Sequence, residues 1–477
     1  MRSTPLFTFH RFAPCTQKPN VCDHYVSGDF CPQTDARNRT PPTSAFANAA
    51  ELEEAMEFLD MRNTFRKLIM GSALLLFAGL VMAQETVHIG MILPPEGDGP
   101  TGELARDALN GANFAIEEFG FNAMLYEVNL DVQIEHAGTP EEAVAAAERI
   151  ADSEVAPIGI AGGFDTETTA ALSAWAAENQ VPFLNLVAPS DSLRGALCSP
   201  YTFHLAPSAA MYIDAIGGWY IRANFRDWFV VVGDDDESQA LLARTRWMLA
   251  NRHFGAEISN TVTMAPGDAG AAAEAAANSG SDVVVMLAPT DSQLEFLAAY
   301  EAAGAPITVT GFPWPEAQTR AFYLAAAEAS PTVGAGNRAT AWSATLDLYG
   351  ARELNARYLA RFDDPMQFAA WASYQAVKIF FEANTFAPGL RGEELREYMG
   401  AETTIYDLWK GIGSTFRPWD NQLRQPLHLV EIDPTSETEL AVELLVGELP
   451  AIYLPGTDPV ERLDQLGDLA ANSSCNF

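Results

Sequence analysis

From Val87 to Thr310 the chain repeats one pattern, a short apolar run followed by an alanine-rich amphipathic stretch. That alternation restricts the fold to parallel sheets covered by helices on both faces. Val87–Leu93 predicts a strand. Thr101–Phe119 predicts a helix, with Thr101 as candidate N-cap and Leu104, Ala108, Ala112, Ala115 and Phe119 on one face. Strands follow at Val128–Glu135, Ala156–Ala161 and Pro182–Val187, with helices over Pro140–Asp152 and Glu167–Asn179 between them. After a break at His204–Ser208 the pattern restarts with a helix over Ala209–Asn224. Strands at Trp228–Gly233, Glu257–Met264, Asp282–Ala288 and Ile307–Thr310 then alternate with helices over Gln239–Phe254, Ala269–Ser279 and Gln293–Ala303.

A third portion begins near Pro331, with two long helices predicted over Leu348–Phe362 and Met366–Ala383, and a late β-pair over Arg417–Ile432 and Glu439–Leu445. Too small to be a lobe, this portion is expected to return to the first lobe and finish on the second. The expected organisation is α/β, two doubly wound lobes. Lobe 1 is 84–206 plus about 336–402, lobe 2 is 207–335 plus about 403–450, and 451–477 is a C-terminal tail. Ligands of such sheets sit beyond the carboxyl ends of the strands. Those ends fall at Pro94–Gly99, Ala161–Thr166 and Val187–Ser190 in lobe 1, and at Asp234–Ser238, Ala288–Asp291 and Gly311–Pro315 in lobe 2.

Export is expected from Met61–Ala83, which has a basic start (Arg62, Arg66, Lys67), an apolar core from Leu68 to Met82, and small residues Val81 and Ala83 at the −3 and −1 positions of a cleavage site. The apolar core is shorter than the roughly 20 residues a spanning helix needs. The preceding residues, 1–60, lack periodicity and are expected to be a non-native, disordered upstream extension with Met61 as the initiator. Cys15, Cys22 and Cys31 lack the spacing of a zinc site, with or without His10 and His24. Beyond them only Cys198 and Cys475 remain, which in an exported chain suggests one disulfide; two free buried thiols are the alternative. The formal net charge of −35 falls entirely after residue 83, where Lys378 and Lys410 are the only lysines. Such a balance excludes a phosphate-binding basic face and hence a nucleic-acid partner.

Catalytic motifs are missing: the sequence has no H-E-x-x-H, G-x-S-x-G or P-loop, and no catalytic residue, cofactor or metal ligand is assigned. Gly334–Ala339 matches G-x-G-x-x-A but lies outside a first strand–helix turn, so it is read as a crossover loop. The acidic run Asp234–Glu237 is either a divalent-cation site or a solvated strand end. Ala161–Thr166 ends a strand and opens a helix, with Asp165 or Thr166 at the cap. Its first-turn N–H groups are either plain capping or a ligand site facing the cleft, and Val187–Ser190 carries the same two readings.

Gly99-Pro100-Thr101-Gly102, Asn110-Gly111-Ala112, Ala115-Ile116-Glu117-Glu118 and Gln180-Val181-Pro182 occur in an order that resembles type I periplasmic binding proteins, the branched-chain amino-acid-binding (leucine-binding-protein-like) group of ABC importers. Thr340-Ala341-Trp342, Leu354-Asn355-Ala356-Arg357, Ala369-Ala370-Trp371-Ala372 and above all Phe416–Pro426 (FRPWDNQLRQP) resemble one branch, the substrate-binding protein associated with PQQ-dependent alcohol dehydrogenase systems. The resemblance implies two Rossmann-like (flavodoxin-like) lobes with three hinge crossings. It also implies a periplasmic monomer, a small-molecule ligand, and an ABC permease in the inner membrane as transient partner. Members of the branch carry cysteines where Cys198 and Cys475 stand. The family's carboxylate-holding turns map to Gly162–Thr166 and Ala188-Pro189-Ser190, its second-lobe tyrosine near Ser238, and its ammonium-pairing acid near Phe312-Pro313-Trp314. The ligand set implied is Thr101, Asp165, Thr166, Ala188, Ser190, Ser238, Thr290, Trp314 and Trp342, with Phe164 and Phe312 as further aromatic walls. Asp165 at a carboxylate turn, Pro189 without an N–H, and no acid near Trp314 argue against an amino-acid ligand.

Overall fold

The computed structural model describes residues 85–432, 442–450, 456, 458–475 and 477. The expected leader, the upstream stretch with Cys15, Cys22, Cys31, His10 and His24, and parts of the tail lie outside those residues. The first half reads β1 (Glu85–Leu93), α1 (Gly99–Leu125), β2 (Val128–His136), α2 (Pro140–Ala151), β3 (Gly159–Gly162), α3 (Thr166–Asn179), β4 (Phe183–Asn185) and β5 (Thr202–His204). Its strands form one sheet in the order β2-β1-β3-β4-β5, and every pairing is parallel. The second half begins with α4 (Ala209–Arg222), β6 (Asp227–Gly233), α5 (Asp236–Asn251), β7 (Glu257–Met264) and α6 (Ala269–Ala277). It continues with β8 (Val283–Leu287), α7 (Thr290–Ala302), β9 (Thr308–Gly311) and α8 (Arg320–Ala329). Its parallel sheet runs β7-β6-β8-β9. The α/β class and the two parallel sheets match the sequence expectation. The central strands β1, β6 and β8 are buried on both faces, which is why they read as unbroken apolar runs.

The remainder is β10 (Asn337–Thr340), α9 (Ala351–Phe362), α10 (Phe368–Phe386), α11 (Gly392–Gly400), β11 (Leu427–Ile432), β12 (Glu443–Leu449) and the short α12 (Pro459–Leu463). β10, β11 and β12 form a separate antiparallel sheet. The late β-pair therefore exists, but its first strand starts ten residues after Arg417 because Phe416–Pro426 folds otherwise. α10 packs along α1, so closely that a Cβ at Gly111 would stand 2.0 Å from the Ala370 carbonyl oxygen. Thr101 does not cap α1: Asp98 occupies the N-cap position, Pro100 lies in the first turn, and Thr101 is exposed inside the helix.

Phe416–Pro426 is a packing device. His204 donates its N–H to the Asn421 carbonyl, and Leu423 donates to the His204 carbonyl, so the segment lies along β5. Arg417 and Arg424 are buried and both donate to Asp464 Oδ1, at 3.1 and 2.9 Å. Trp419 Nε1 donates to the Asp468 carbonyl at 3.2 Å. The preceding loop packs on α10, where Trp371 Nε1 and Lys378 Nζ donate to the carbonyls of Leu408 and Asp407. The chain end is held by a Cys198–Cys475 disulfide.

Candidate functional site

The carboxyl ends of both parallel sheets face one cleft. On the first sheet, the turn after β3 passes through Gly163 at φ +87°, where a Cβ would stand 2.8 Å from Asn185 Oδ1 and Thr169 Oγ1. Asp165 then caps α3: its Oδ1 accepts from Thr168 N at 2.7 Å and its carbonyl from Thr169 N at 3.1 Å. The Asp165 carboxylate is thus engaged by its own helix, while the first N–H groups of α3 keep no intrahelical partner.

The next turn, Leu186–Ser190, is held from beneath. Asn185 Oδ1 accepts from Ala188 N at 3.1 Å, and its Nδ2 donates to the Ala188 carbonyl at 2.9 Å. Buried Arg194 spends its donors on the carbonyls of Ala188, Ser190 and Ala206 and on Gln422 Oε1. Burial brings this guanidinium down to about 10. It stiffens the turn, with four of its five N–H donors spent on the protein.

On the second sheet, Asp235 caps α5 and also accepts from Ser238 Oγ at 2.6 Å. That bond draws the buried Ser238 into the cap, and Ser238 does not line the cavity described below, which corrects its assignment as a ligand residue. Two residues after the cap, Glu237 reaches the opposite sheet: Thr166 Oγ1 donates to Glu237 Oε1 at 2.5 Å. Trp314, after β9, is fixed by its Nε1 donating to the Ala288 carbonyl at 2.8 Å and by an edge contact with Phe312 at 4.7 Å. Between these groups lies a cavity of about 110 Å³ lined by Pro189, Ser190, Asp191, Ser192, Ala209, Glu237, Ala240, Leu241, Phe312 and Trp314.

Of the expected set, Ser190, Phe312 and Trp314 line this cavity, Thr166 closes one side through Glu237, and Ala188 lies buried beneath it. Thr101 does not line it. Trp342 is a second correction. It is 1% exposed, stacks on Trp371 at 5.6 Å and donates to Asn355 Oδ1, so it belongs to the core. A third concerns the acid near Trp314, because Glu316 stands two residues further on. Burial raises its carboxyl pKa, the negative charges of Asp291 and Asp165 add to the rise, and the Thr290 hydroxyl opposes it. Pairing that acid with strand ends 150 residues away was beyond the sequence, as were the cavity walls Asp191, Ser192, Ala240 and Leu241. Asp191 is also raised, chiefly by burial.

Among the described residues no lysine or arginine lines the cavity, whereas Asp191 and Glu237 do; Asp165, Asp291 and Glu316 stand around it, and so do Arg194 and Arg244 beside Asp191. An engineered cavity of about 150 Å³ takes benzene, so 110 Å³ suits a molecule of a few heavy atoms. Apolar walls with acceptor-rich edges favour an uncharged hydrogen-bond donor or a cation. They disfavour a free carboxylate. A second contact between the two halves lies outside the cavity, where Ala321 N at the start of α8 donates to Glu103 Oε2 of α1 at 2.5 Å.

The sequence profile of a family described as Periplasmic binding protein matches residues 86–438. No curated protein sequence matches the chain. Among solved structures, a branched-chain amino acid ABC transporter periplasmic ligand-binding protein from Burkholderia xenovorans LB400 superposes with a TM-score of 0.70 at 15% identity, covering 82% of this chain and 99% of that one. An amino acid ABC transporter substrate-binding protein from Pseudomonas fluorescens Pf-5 gives 0.67 at 14% identity, covering 83% and 100%. A solute-binding protein of an ABC transporter from Rhodopseudomonas palustris BisB5, in complex with 3,4-dihydroxybenzoic acid, gives 0.62 at 17% identity, covering 78% and 99%.

Proposed function

Because this chain belongs to the periplasmic binding protein family, we propose that it serves as the solute-binding protein of an ABC-type importer, closing two lobes on a small organic molecule and delivering it to a permease. The observation that carries this is the cavity between the carboxyl ends of the two sheets, bridged by the Thr166–Glu237 bond. Lobe 1 comprises 84–206 with, from its packing on β5 and α10, about 341–426; lobe 2 comprises 207–340 with the rest to 450, which keeps β10 in one sheet with β11 and β12. The protein acts in the periplasm as a monomer after losing its leader, and it binds rather than transforms its ligand.

The ligand is uncharged or cationic, small, and held between Phe312 and Trp314 on one side and the Pro189–Ser192 turn on the other. Ser190, Asp191, Ser192 and Glu237 supply the polar contacts from the lining, with Thr166 beside Glu237 and Asp165, Thr290 and Glu316 behind them. Ligand-dependent thermal shifts across small amines, alcohols, amides, acids and amino acids test this directly. Stabilisation by amines or alcohols is expected; stabilisation by acids alone would refute the ligand class.

A second reading keeps the cleft and removes the permease: a ligand-sensing accessory of a periplasmic PQQ-dependent dehydrogenase system. The Phe416–Pro426 resemblance favours that association. Co-purification of a permease with the ligand-loaded protein favours transport, and co-purification of a dehydrogenase favours the accessory role.

A further inference from the structure

Residues beyond α12 are bonded to both lobes. Asp464 Oδ1 takes the guanidiniums of Arg417 and Arg424, and Arg417 Nη2 also donates to the Leu466 carbonyl at 2.5 Å. These bonds seat the tail on the Phe416–Pro426 stretch that lies along β5 of lobe 1. The next residues turn to lobe 2. Gly467 N donates to Asp214 Oδ2 of α4 at 2.9 Å. Arg252, at the end of α5, donates to the same oxygen at 2.7 Å and to the carbonyls of Gln465 and Gly467. Asp468 is held from both sides at once: its carbonyl accepts from Trp419 Nε1, and its Oδ1 accepts from Arg244 Nη1 of α5 at 2.7 Å. The chain then returns to lobe 1, where Ser473 Oγ donates to the Trp419 carbonyl at 3.3 Å and Cys475 is bonded to Cys198.

The two sets of anchors meet at Gly467, whose φ is +79°. A Cβ there would stand 2.8 Å from Met211 Cγ of α4, 3.2 Å from Arg417 Nη1 and 3.4 Å from Ser208 Oγ, next to the first passage between the lobes. Asp214, Arg417 and Arg424 are buried. Charge-assisted bonds among buried groups are strong, and parting them leaves charges uncompensated. A rotation that draws α4 and α5 away from β5 therefore has to break bonds along 464–468.

We propose that residues 464–475 form a strap across the hinge, a fourth tie between the lobes besides the three chain crossings, which limits how far the empty lobes open. It rests on the lobe closure proposed above. The FRPWDNQLRQP stretch gains a role as the lobe 1 seat of the strap, through Arg417, Trp419 and Arg424. A strap that keeps the empty protein near its closed arrangement raises apparent ligand affinity, which scales with the fraction already competent to bind. The strap also borders the cleft. Burial raises the carboxyl pKa of Asp191 in the cavity lining; Arg244 opposes that rise and Asp468 adds to it.

Small-angle X-ray scattering of the ligand-free exported protein tests the strap in wild type, Glu237→Ala, Arg252→Gln and the double variant. Glu237→Ala cuts the Thr166–Glu237 bond across the cleft. Arg252→Gln cuts the strap from α5, while Asp214 keeps Gly467 N, with His253 at 3.6 Å and Arg244 at 4.0 Å. With the strap intact, Glu237→Ala should leave the radius of gyration near that of wild type. The double variant should exceed it by about 1 Å or more, against roughly 20 Å for a compact chain of this size. If Arg252→Gln does not fold, Gly467→Val takes its place, since its side chain pushes the tail off α4 without removing a charge. A radius that grows as much in Glu237→Ala alone as in the double variant overturns the strap and leaves lobe closure standing. A radius that grows in none of the variants removes lobe closure itself, and the strap with it.

Discussion

Glu443 offers a quantitative test of how the antiparallel sheet is joined to the rest. It lies on β12, is 3% exposed, and accepts at one oxygen from Ser343 Oγ at 2.6 Å and from Ala344 N at 3.1 Å. Its other oxygen has no partner. Burial outweighs those two bonds and pushes the carboxyl from 4.5 up to about 7. Below the unfolded value both states are protonated and Glu443 costs nothing. Between 4.5 and about 7 the folded state holds a proton that the unfolded state has lost, so stability falls as pH rises. Above about 7 the loss is complete, at about 3 kcal/mol for a carboxyl moved from 4.5 to about 7. Glu443→Gln keeps the acceptor and the shape but cannot ionise. Its denaturant midpoint should match wild type near pH 4.5 and exceed it by an amount equivalent to about 3 kcal/mol at pH 8.5. A gap that stays constant with pH would refute the assignment, because a packing effect does not titrate.

Reducing the Cys198–Cys475 bond, which spans a sequence separation of 277, should lower stability by about 2–5 kcal/mol, read as a drop in melting temperature with reductant that Cys475→Ser reproduces; an unchanged melt would contradict it. With a net charge of −35 and two lysines after residue 83, the melting temperature should rise between low and moderate NaCl as the Debye length shrinks towards roughly 3 Å at 1 M. A flat or falling curve counts against self-repulsion. The exported protein should begin near Gln84, and N-terminal sequencing that finds residues before Met61 would sink the proposed leader.

Elements whose pattern is local were legible. The central strands of both sheets are apolar throughout, and the face Leu104–Phe119 of α1 is buried as its spacing demanded. β5 (Thr-Phe-His) and β10 (Asn-Arg-Ala-Thr) were not, since neither lies in an apolar run like those that announced the equally short β3 and β4, and both exist because of the neighbours they pair with. The cleft was legible at the level of strand ends and lost at the level of side-chain direction. Ser238 and Trp342 stand at suitable chain positions, yet one is drawn into a cap and the other into an aromatic stack. Glu316 was missed because its neighbourhood with Asp165 and Asp291 joins three different strand ends. FRPWDNQLRQP, the most distinctive stretch of the sequence, holds the chain end to β5 and does not line the cavity.

The central claim is that the cleft takes a small uncharged or cationic molecule and rejects a free amino acid. It is tested most directly by titrating butylamine and leucine, separately, into wild type and Trp314→Ala. Butylamine should bind wild type and lose at least about tenfold in Trp314→Ala, as the aromatic wall against the ligand disappears. Leucine should bind weakly or not at all, since its carboxylate would meet the Asp191 and Glu237 carboxylates while, among the described residues, no lysine or arginine lines the cavity. Micromolar leucine binding that is abolished in Trp314→Ala would contradict the claim.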